Sequence, residues 1–349
     1  MERQLATIRR IAEVKPIEGA DAIEAVRVDG WWVVAKKGEY EVDDLAVYLE
    51  VDSWVPNELA PFLSKGEPRE FNGVKGEHLR TIKLRGQLSQ GLLLPCAIAA
   101  ERLSPGELWA FDEGDDVTEA LGILKWEKPI PAQLAGLVKV NFPSFIPKTD
   151  QPRIQNMKRN WEDKLRFENW EVSEKLDGSS MTVYVRLIKN EDTVDIESGV
   201  CSRNLDLKYD ENNSFWEAAI KYRLREAIAS TGRSLALQGE LIGEGIQGNS
   251  YKLIGRKFFC FNIYDIDNQC YLLPLERWKL LQELNIDSVP VSYMNTHFEG
   301  LSVDDLLKEA EGISAMGAKP EREGLVFKSM TDRDLSFKVI SNKWLILND

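Results

Sequence analysis

Up to about residue 120 the apolar residues come in short runs separated by turn-forming pairs, and this punctuation restricts that part of the chain to short strands. Val26 to Val34 and Leu45 to Val55 alternate or run apolar, with Asp29-Gly30 and Lys37-Gly38 as turns. Leu79 to Leu94 repeats the pattern around Gly86 and Gly91. Several short strands at this spacing build a small barrel or sandwich. The chain has 349 residues, about twice a typical single domain, so a second domain is expected.

Residues from about 121 to 150 are proline-rich, with Pro129, Pro131, Pro143 and Pro147. Trp126, Phe142 and Phe145 are interleaved, so the segment reads as an ordered connector rather than a flexible linker. Beyond residue 150 the pattern becomes mixed α and β. Trp170 to Lys175, Met181 to Arg186, Leu235 to Ile242, Lys257 to Asp265 and Gly324 to Ser329 are strand-like. Ser214 with Glu217 predicts a capping box that opens one helix running to about Ser230, where Gly232 stops it. Leu275 to Leu284 and Val303 to Glu311 are further helices, with Ser302 as a cap. Strands and helices do not alternate regularly, so this is an α+β domain and not a doubly wound sheet.

Lys plus Arg number 44 against 57 Asp plus Glu, a net charge of −13. Such a chain is a poor candidate for a nonspecific nucleic-acid coat protein. Only two histidines are present, His78 and His297, which disfavours His-cluster zinc hydrolases and a Ser/His/Asp triad. A metal here would be held by oxygen ligands, which suit Mg²⁺ or Mn²⁺. Cys96, Cys201, Cys260 and Cys270 form no CxxC pattern and read as reduced thiols. The first ten residues contain charges and no apolar core of a signal peptide, and no run approaches a membrane span, so a cytoplasmic protein without membrane partners is expected.

The sharpest chemical segment is Glu174-Lys175-Leu176-Asp177-Gly178. In an extended chain Lys175 and Asp177 project from one face. A lysine amine is a nucleophile only when neutral, so its pKa is expected to fall through burial or a neighbouring cation. Read alone, the pentapeptide is either such a nucleophile or the charged end of a hairpin. Further pieces follow in order: Ser202-Arg203-Asn204; Gln238-Gly239-Glu240 inside an apolar strand; the aromatic strand from Phe258 to Asp265; Glu323-Gly324-Leu325-Val326-Phe327-Lys328; and Ser336-Phe337-Lys338-Val339-Ile340. Each alone is an ordinary core strand or solvated strand end. Their joint order is what that reading leaves unexplained.

The ordered set resembles the covalent nucleotidyltransferases, the superfamily of polynucleotide ligases and mRNA capping enzymes. Motif I is present as Lys175 to Gly178, and motifs Ia, III, IIIa, IV and V match Arg203, Glu240, the Phe258 strand, Glu323 and Lys338. The resemblance implies that Lys175 attacks the α-phosphate of ATP to give a lysyl-adenylate. The AMP then passes to a 5′-phosphate, and a 3′-OH displaces it. It further implies that Lys338, together with Lys328, faces the phosphates. Asp177, Glu240 and Glu323 would hold Mg²⁺ or Mn²⁺, Phe258 would stack on adenine with Phe259 in the core, and Glu174 would accept from the adenine amino group. Arg203 would contact the ribose or the nucleic-acid end. Similar RNA ligases have a second motif V lysine two residues after the first; here that position is Ile340, and the next lysine is Lys343.

Only 11 residues follow Lys338, too few for the C-terminal OB domain of DNA ligases and capping enzymes. The expected barrel lies before motif I instead, an order that resembles the RNA ligase 5 family. The expected architecture is an OB-fold domain over 1–125, a connector over 126–150 and an α+β nucleotidyltransferase domain with antiparallel sheets over 151–349. The expected function is sealing of RNA, or of RNA-containing nicked duplex, by a monomer. A DNA-type nick ligase, a GTP-using transferase and a noncatalytic RNA- or tRNA-binding protein with a decayed transferase domain are the alternatives. Within the first domain, Lys65, Arg69, Lys75, Arg80, Lys83 and Arg85 outnumber Glu67, Glu70 and Glu77, which marks that stretch either as a phosphate-contacting surface or as an ordinary solvated loop. Trp31 and Trp32 are read as core residues first and as base-stacking residues second.

Overall fold

The computed structural model describes residues 4–103, 110–126, 138–189 and 193–348. Pro129 and Pro131 of the expected connector lie outside the described residues. The chain divides into two compact units, one of Met1–Pro129 with Ile154–Asn160 and Leu345–Asp349, the other of Ile130–Arg153 with Trp161–Trp344.

The strands of the first unit are β1 (Ala6–Pro16), β2 (Ile23–Val28), β3 (Trp31–Lys36), β4 (Leu45–Leu49), β5 (Ser53–Pro56), β6 (Arg69–Phe71), β7 (Val74–His78), β8 (Ile82–Leu84), β9 (Gln87–Ser89), β10 (Leu92–Pro95) and β11 (Leu124–Lys125), with helix α1 (Cys96–Leu103) after β10. An antiparallel sheet runs β10-β4-β1-β2-β3, and a smaller one β11-β5-β7-β6. β1 serves two neighbours: its first half pairs with β4 and its second half with β2. The register shifts between Ile11 and Glu13, an irregularity of the kind that bends a strand. Neighbouring residues alternate between two apolar clusters. Ile8, Val47 and Leu94 enter one, while Ile11, Tyr48 and Leu93 enter the other with Trp31. Trp31 is a core residue whose indole N–H donates to Asn156 Oδ1 at 2.5 Å. Trp32 is half-buried beneath the Lys15 ammonium, 3.7 Å from its ring centroid.

The remaining strands are β12 (Val138–Asn141), β13 (Trp170–Lys175), β14 (Ser179–Lys189), β15 (Val194–Cys201), β16 (Leu205–Leu207), β17 (Leu235–Gly243), β18 (Arg256–Asp265), β19 (Cys270–Tyr271), β20 (Val291–Thr296), β21 (Gly324–Ser329) and β22 (Ser336–Ile340). Helices are α2 (Lys158–Asp163), α3 (Ser214–Lys221), α4 (Leu224–Ser230), α5 (Pro274–Leu284), α6 (Val303–Ala310) and α7 (Asn342–Asn348). β12 to β19 make a seven-stranded sheet in the order β12-β16-β15-β14-β17-β18-β19, without β13. The four-stranded sheet runs β20-β13-β21-β22. Every pairing within both sheets is antiparallel.

The single helix expected from Ser214 to Ser230 is two helices. Asn213, not Ser214, is the N-cap, its side chain accepting from the N–H groups of Phe215 and Trp216. The chain breaks at Tyr222-Arg223, where Arg223 takes a left-handed conformation with φ of 51°. α6 follows the expectation, with Ser302 and Asp305 in a capping box.

Across β13, β21 and β22 the four-stranded sheet keeps the two-residue period, while the β13–β20 pairing shifts register between Trp170 and Ser173. On one face Trp170, Phe327 and Phe337 meet Trp161 of α2, with ring centroids 4.8 to 6.4 Å apart. The opposite face carries rows set by the pairings Glu171↔Lys328↔Ser336, Ser173↔Val326↔Lys338 and Lys175↔Gly324↔Ile340. Lys328 therefore shares a face with Lys338 but does not reach open space. It is buried and donates to the Phe261 carbonyl and to Asn262 Oδ1, the latter at 2.5 Å, next to a buried Glu171–Arg277 ion pair. Its expected place on the phosphates is thereby corrected: burial first, and then the Arg277 guanidinium, push its pKa down to about 7 against the opposing pull of Glu171 and Cys260.

Between about pH 7 and the ordinary lysine value of 10.5 the unfolded chain holds the Lys328 proton and the folded one does not, so stability rises with pH in that window. Relative to a Lys328→Met variant, the wild type should gain about 1–3 kcal/mol of unfolding free energy between pH 7 and pH 9.5. Urea titrations at the two pH values measure this, and parallel pH profiles for the two proteins would refute it.

Candidate active site

Lys175 ends β13 on the face away from the aromatic cluster. Its pairing with Gly324 brings in the preceding residue, Glu323, whose Oε1 lies 2.6 Å from Lys175 Nζ. The other oxygen, Glu323 Oε2, is buried without a hydrogen-bond partner. Glu240 comes from β17 of the larger sheet, where it pairs with Ser180 and Phe259. Asp177 sits in the turn between β13 and β14, and its backbone N–H donates to the Tyr251 hydroxyl at 2.7 Å. Gly178 allows this turn to lie against β17. A Cβ there would stand 2.5 Å from the Leu241 carbonyl oxygen and 2.9 Å from Glu240 Cγ, which no side chain tolerates.

This arrangement reverses one expectation. Burial pulls the Lys175 pKa down, but Glu323, Glu240 and Asp177 together outweigh it and hold the amine above its ordinary value. The lysine stands as an ammonium among carboxylates. Glu240 answers in kind: burial pushes it up to about 8, with Glu323 and Asp177 adding to the rise and Lys175 and Arg203 opposing it. Three acids thus face one lysine, and the surplus negative charge is relieved in part by a proton on Glu240.

Among the described residues, no three His, Cys, Asp or Glu side chains stand close enough to hold a metal ion directly. The expected trio of Asp177, Glu240 and Glu323 is therefore a shared electrostatic environment and not a ready-made coordination shell. Its chemistry still fits a hard cation: all the donors are carboxylate oxygens, and Glu323 Oε2 is unpartnered.

Lys338 and Arg203 converge on a residue not singled out from the sequence. Asp150 Oδ1 lies 3.7 Å from Lys338 Nζ and 3.5 Å from Arg203 Nη2. The segment around it runs along β22: the Lys338 N–H donates to the Pro152 carbonyl at 2.9 Å, and Arg153 bridges to Lys338 in parallel. Ile340 is buried, and Lys343 is drawn to Glu321 at 2.7 Å.

Glu174 points to the opposite face from Lys175. Its carboxylate accepts from the Ser314 hydroxyl and from the Ala315 N–H, the latter at 2.9 Å. Phe258 is corrected. Its partner across the sheet is Leu241, and it packs with Met181, Leu237 and Cys260 in the main core. Phe259 instead pairs with Glu240 and lies with Leu176, Tyr251 and Met316. The aromatic ring on the site's side of the strand is thus one residue later than expected. Tyr251 and Ser314 carried no legible signal, because each reaches the site from a loop, while Asp150 belongs to the Pro147–Asp150 segment that resembles the stretch before motif I in RNA ligases.

Comparison with known proteins agrees with this geometry. The RNA ligase family model matches residues 168–343, and a model described as an OB-fold domain matches residues 5–96. No curated protein sequence gives a match. Among solved structures, Naegleria gruberi RNA ligase with PPi is 44% identical at a TM-score of 0.86, covering 99% of this chain and 99% of that one. An apo aspartate-to-alanine mutant of that ligase is also 44% identical, with a TM-score of 0.86 and coverage of 99% and 98%. A lysine-to-alanine mutant with ATP and Mn is 44% identical, with a TM-score of 0.84 and coverage of 98% and 97%. The lysine in its carboxylate nest, the OB-fold before it and these matches converge: the chain belongs to the RNA ligase family.

Proposed function

We propose that this chain is an ATP-dependent RNA ligase that joins 3′-OH and 5′-phosphate ends through a lysyl-AMP on Lys175 and a 5′-adenylylated RNA, sealing nicks in RNA repair. The observation that carries the reading is Lys175 seated 2.6 Å from Glu323, with Lys338 on the same sheet face. The Naegleria ligase solved with ATP and Mn, with AMP and Mn, and with PPi supports it, since these are the substrate and products of adenylyl transfer. Residues 1–125 serve as the OB-fold domain, 126–150 as the connector and 151–349 as the transferase domain of an intracellular monomer. Phosphate contacts fall on Lys65 to Arg85 in the first domain.

Lys175 Nζ first loses a proton, and Glu323 Oε1 is placed to accept it. The neutral amine attacks the α-phosphorus of ATP; a P–N bond forms, the bond to the bridging oxygen breaks and pyrophosphate leaves. Lys338, and Arg203 beside it, lie where cationic charge offsets that of the phosphates. An RNA 5′-phosphate oxygen then attacks the adenylate phosphorus, and the P–N bond breaks to return Lys175. Finally a 3′-OH attacks the activated 5′-phosphate and AMP departs. Asp177, Glu240 and Glu323 would hold Mg²⁺ or Mn²⁺, mostly through its waters. The ion would neutralise phosphate charge and weaken the hold of the carboxylates on the Lys175 proton. Phe259 replaces Phe258 beside the base, whereas the Glu174 carboxylate, on the opposite face and bonded to Ser314 and Ala315, is not placed on the adenine amino group.

Incubation with labelled ATP and Mg²⁺ should give a covalent protein–AMP adduct that Lys175→Ala abolishes and a chelator prevents. A wild-type-level adduct on Lys175→Ala would refute the mechanism. Lys338→Ala should slow adduct formation by about 10²-fold or more. Since the carboxylates hold Lys175 protonated, the single-turnover adduct rate should rise with pH from 6 to 9, and a flat profile would show that deprotonation is not required. Nicked duplexes with RNA or DNA on the 3′-OH side separate an RNA ligase from a DNA-type enzyme.

A further inference from the structure

A cavity of about 420 Å³ opens beside β15 and β16, apart from the Lys175 nest. It is lined by Lys139, Lys208, Arg225, Tyr209 and Trp216 with Ser198, Gly199 and Leu207, so every ionisable lining group is a cation or a tyrosine. In a chain of net charge −13, such a concentration of cations is unusual. The walls are built, not incidental. The Arg225 guanidinium lies over the Trp216 ring, 5.4 Å from its centroid, and Nε donates to Ser198 Oγ at 3.1 Å. Lys139 is held by the buried Asp206 at 3.2 Å. Tyr209 meets Trp216 edge-on at 5.0 Å, and the residue is 59% exposed. Its hydroxyl donates to Glu211 at 2.7 Å, which fixes the ring's tip.

We propose that this cavity is a subsite for single-stranded RNA, in which a base stacks on Tyr209 while the flanking phosphates meet Lys208, Arg225 and Lys139. An exposed aromatic ring among cations is the combination that single strands use: stacking tolerates any base, and the cations follow the backbone. The placement suits a ligase. Arg203 sits on the turn between β15 and β16, and Tyr209 follows β16 six residues later, no more than roughly 20 Å of extended chain away. The cavity lies on the α3–α4 face of the seven-stranded sheet, opposite the face that carries Glu240, so a strand whose end is at Arg203 would pass around the β15–β16 turn to reach it. This inference rests on the RNA-ligase reading.

Lys208→Ala and Tyr209→Ala, made in the full chain, test it. Both residues are exposed and outside the adenylylation site, so both variants should form the ATP adduct as the wild type does. Binding of a labelled 5′-phosphorylated RNA oligonucleotide, followed by fluorescence anisotropy, should weaken about fivefold or more in Tyr209→Ala. In Lys208→Ala the slope of log affinity against log salt should shrink by about 0.7. Sealing should show a raised KM for RNA with kcat kept, which a purely structural role would not produce. Unchanged RNA affinity and salt slope in both variants would overturn the subsite. A wild-type protein that binds RNA through Tyr209 yet makes no adduct would instead overturn the ligase reading and leave the subsite standing.

Discussion

The pairing of β13 with β21 is the constraint on which the site depends. The pairing Lys175↔Gly324 places Lys175 beside Glu323, and because side chains alternate along a strand, Lys338, in the adjacent row on β22, comes to the same face as Lys175. A slip of β13 by one residue would turn Lys175 into the aromatic cluster. The stack of Trp161, Trp170, Phe327 and Phe337 is what resists such a slip. It buries large rings on the far face and makes the register an energetic choice for the whole sheet.

Behind this register lies an electrostatic imbalance. Asp177, Glu240 and Glu323 crowd one ammonium, and burial denies them the solvent that would screen them. The protein therefore stores unfavourable negative charge where a metal cation is proposed to bind, and that cation would relieve it. The acidity of the chain is consistent with this economy: the positive charge that RNA needs is grouped locally, in walls such as Lys139, Lys208 and Arg225, and not spread over the surface.

Much of this was legible. Alternation predicted β17, β18 and β21 to within a residue of their observed limits, and the Ser302 cap fixed the start of α6. The spacing of Lys175, Glu240, Glu323 and Lys338 resembled a family to which the chain does belong. What escaped notice shares one physical cause, dependence on partners distant in sequence. The face of Phe258 is set by its pairing across to Leu241, and the register of β17 with β18 shifts near Gly239. Alternation within one strand cannot say which face is which. The break at Arg223 has no glycine or proline to announce it. The burial of Lys328 is imposed by Arg277 from α5 and by carbonyls of β18. The Lys175 pKa is raised because three acids from three segments meet there, whereas the local sequence suggested only burial or a neighbouring cation.

The segment that carries Asp150 has a consequence in time. Gln151 bonds to Ser336, 185 residues further along the chain, and Arg153 bridges to Lys338. A ribosome adding roughly 5–20 residues per second needs on the order of ten to forty seconds to span that interval. For most of it, the nascent chain carries Lys175 and its glycine turn but lacks Glu323, Lys338 and the strand on which Asp150 rests. The edge of the domain laid down first is sealed by β22, made 185 residues later, so the cell encounters the assembled site only after that strand has been synthesised.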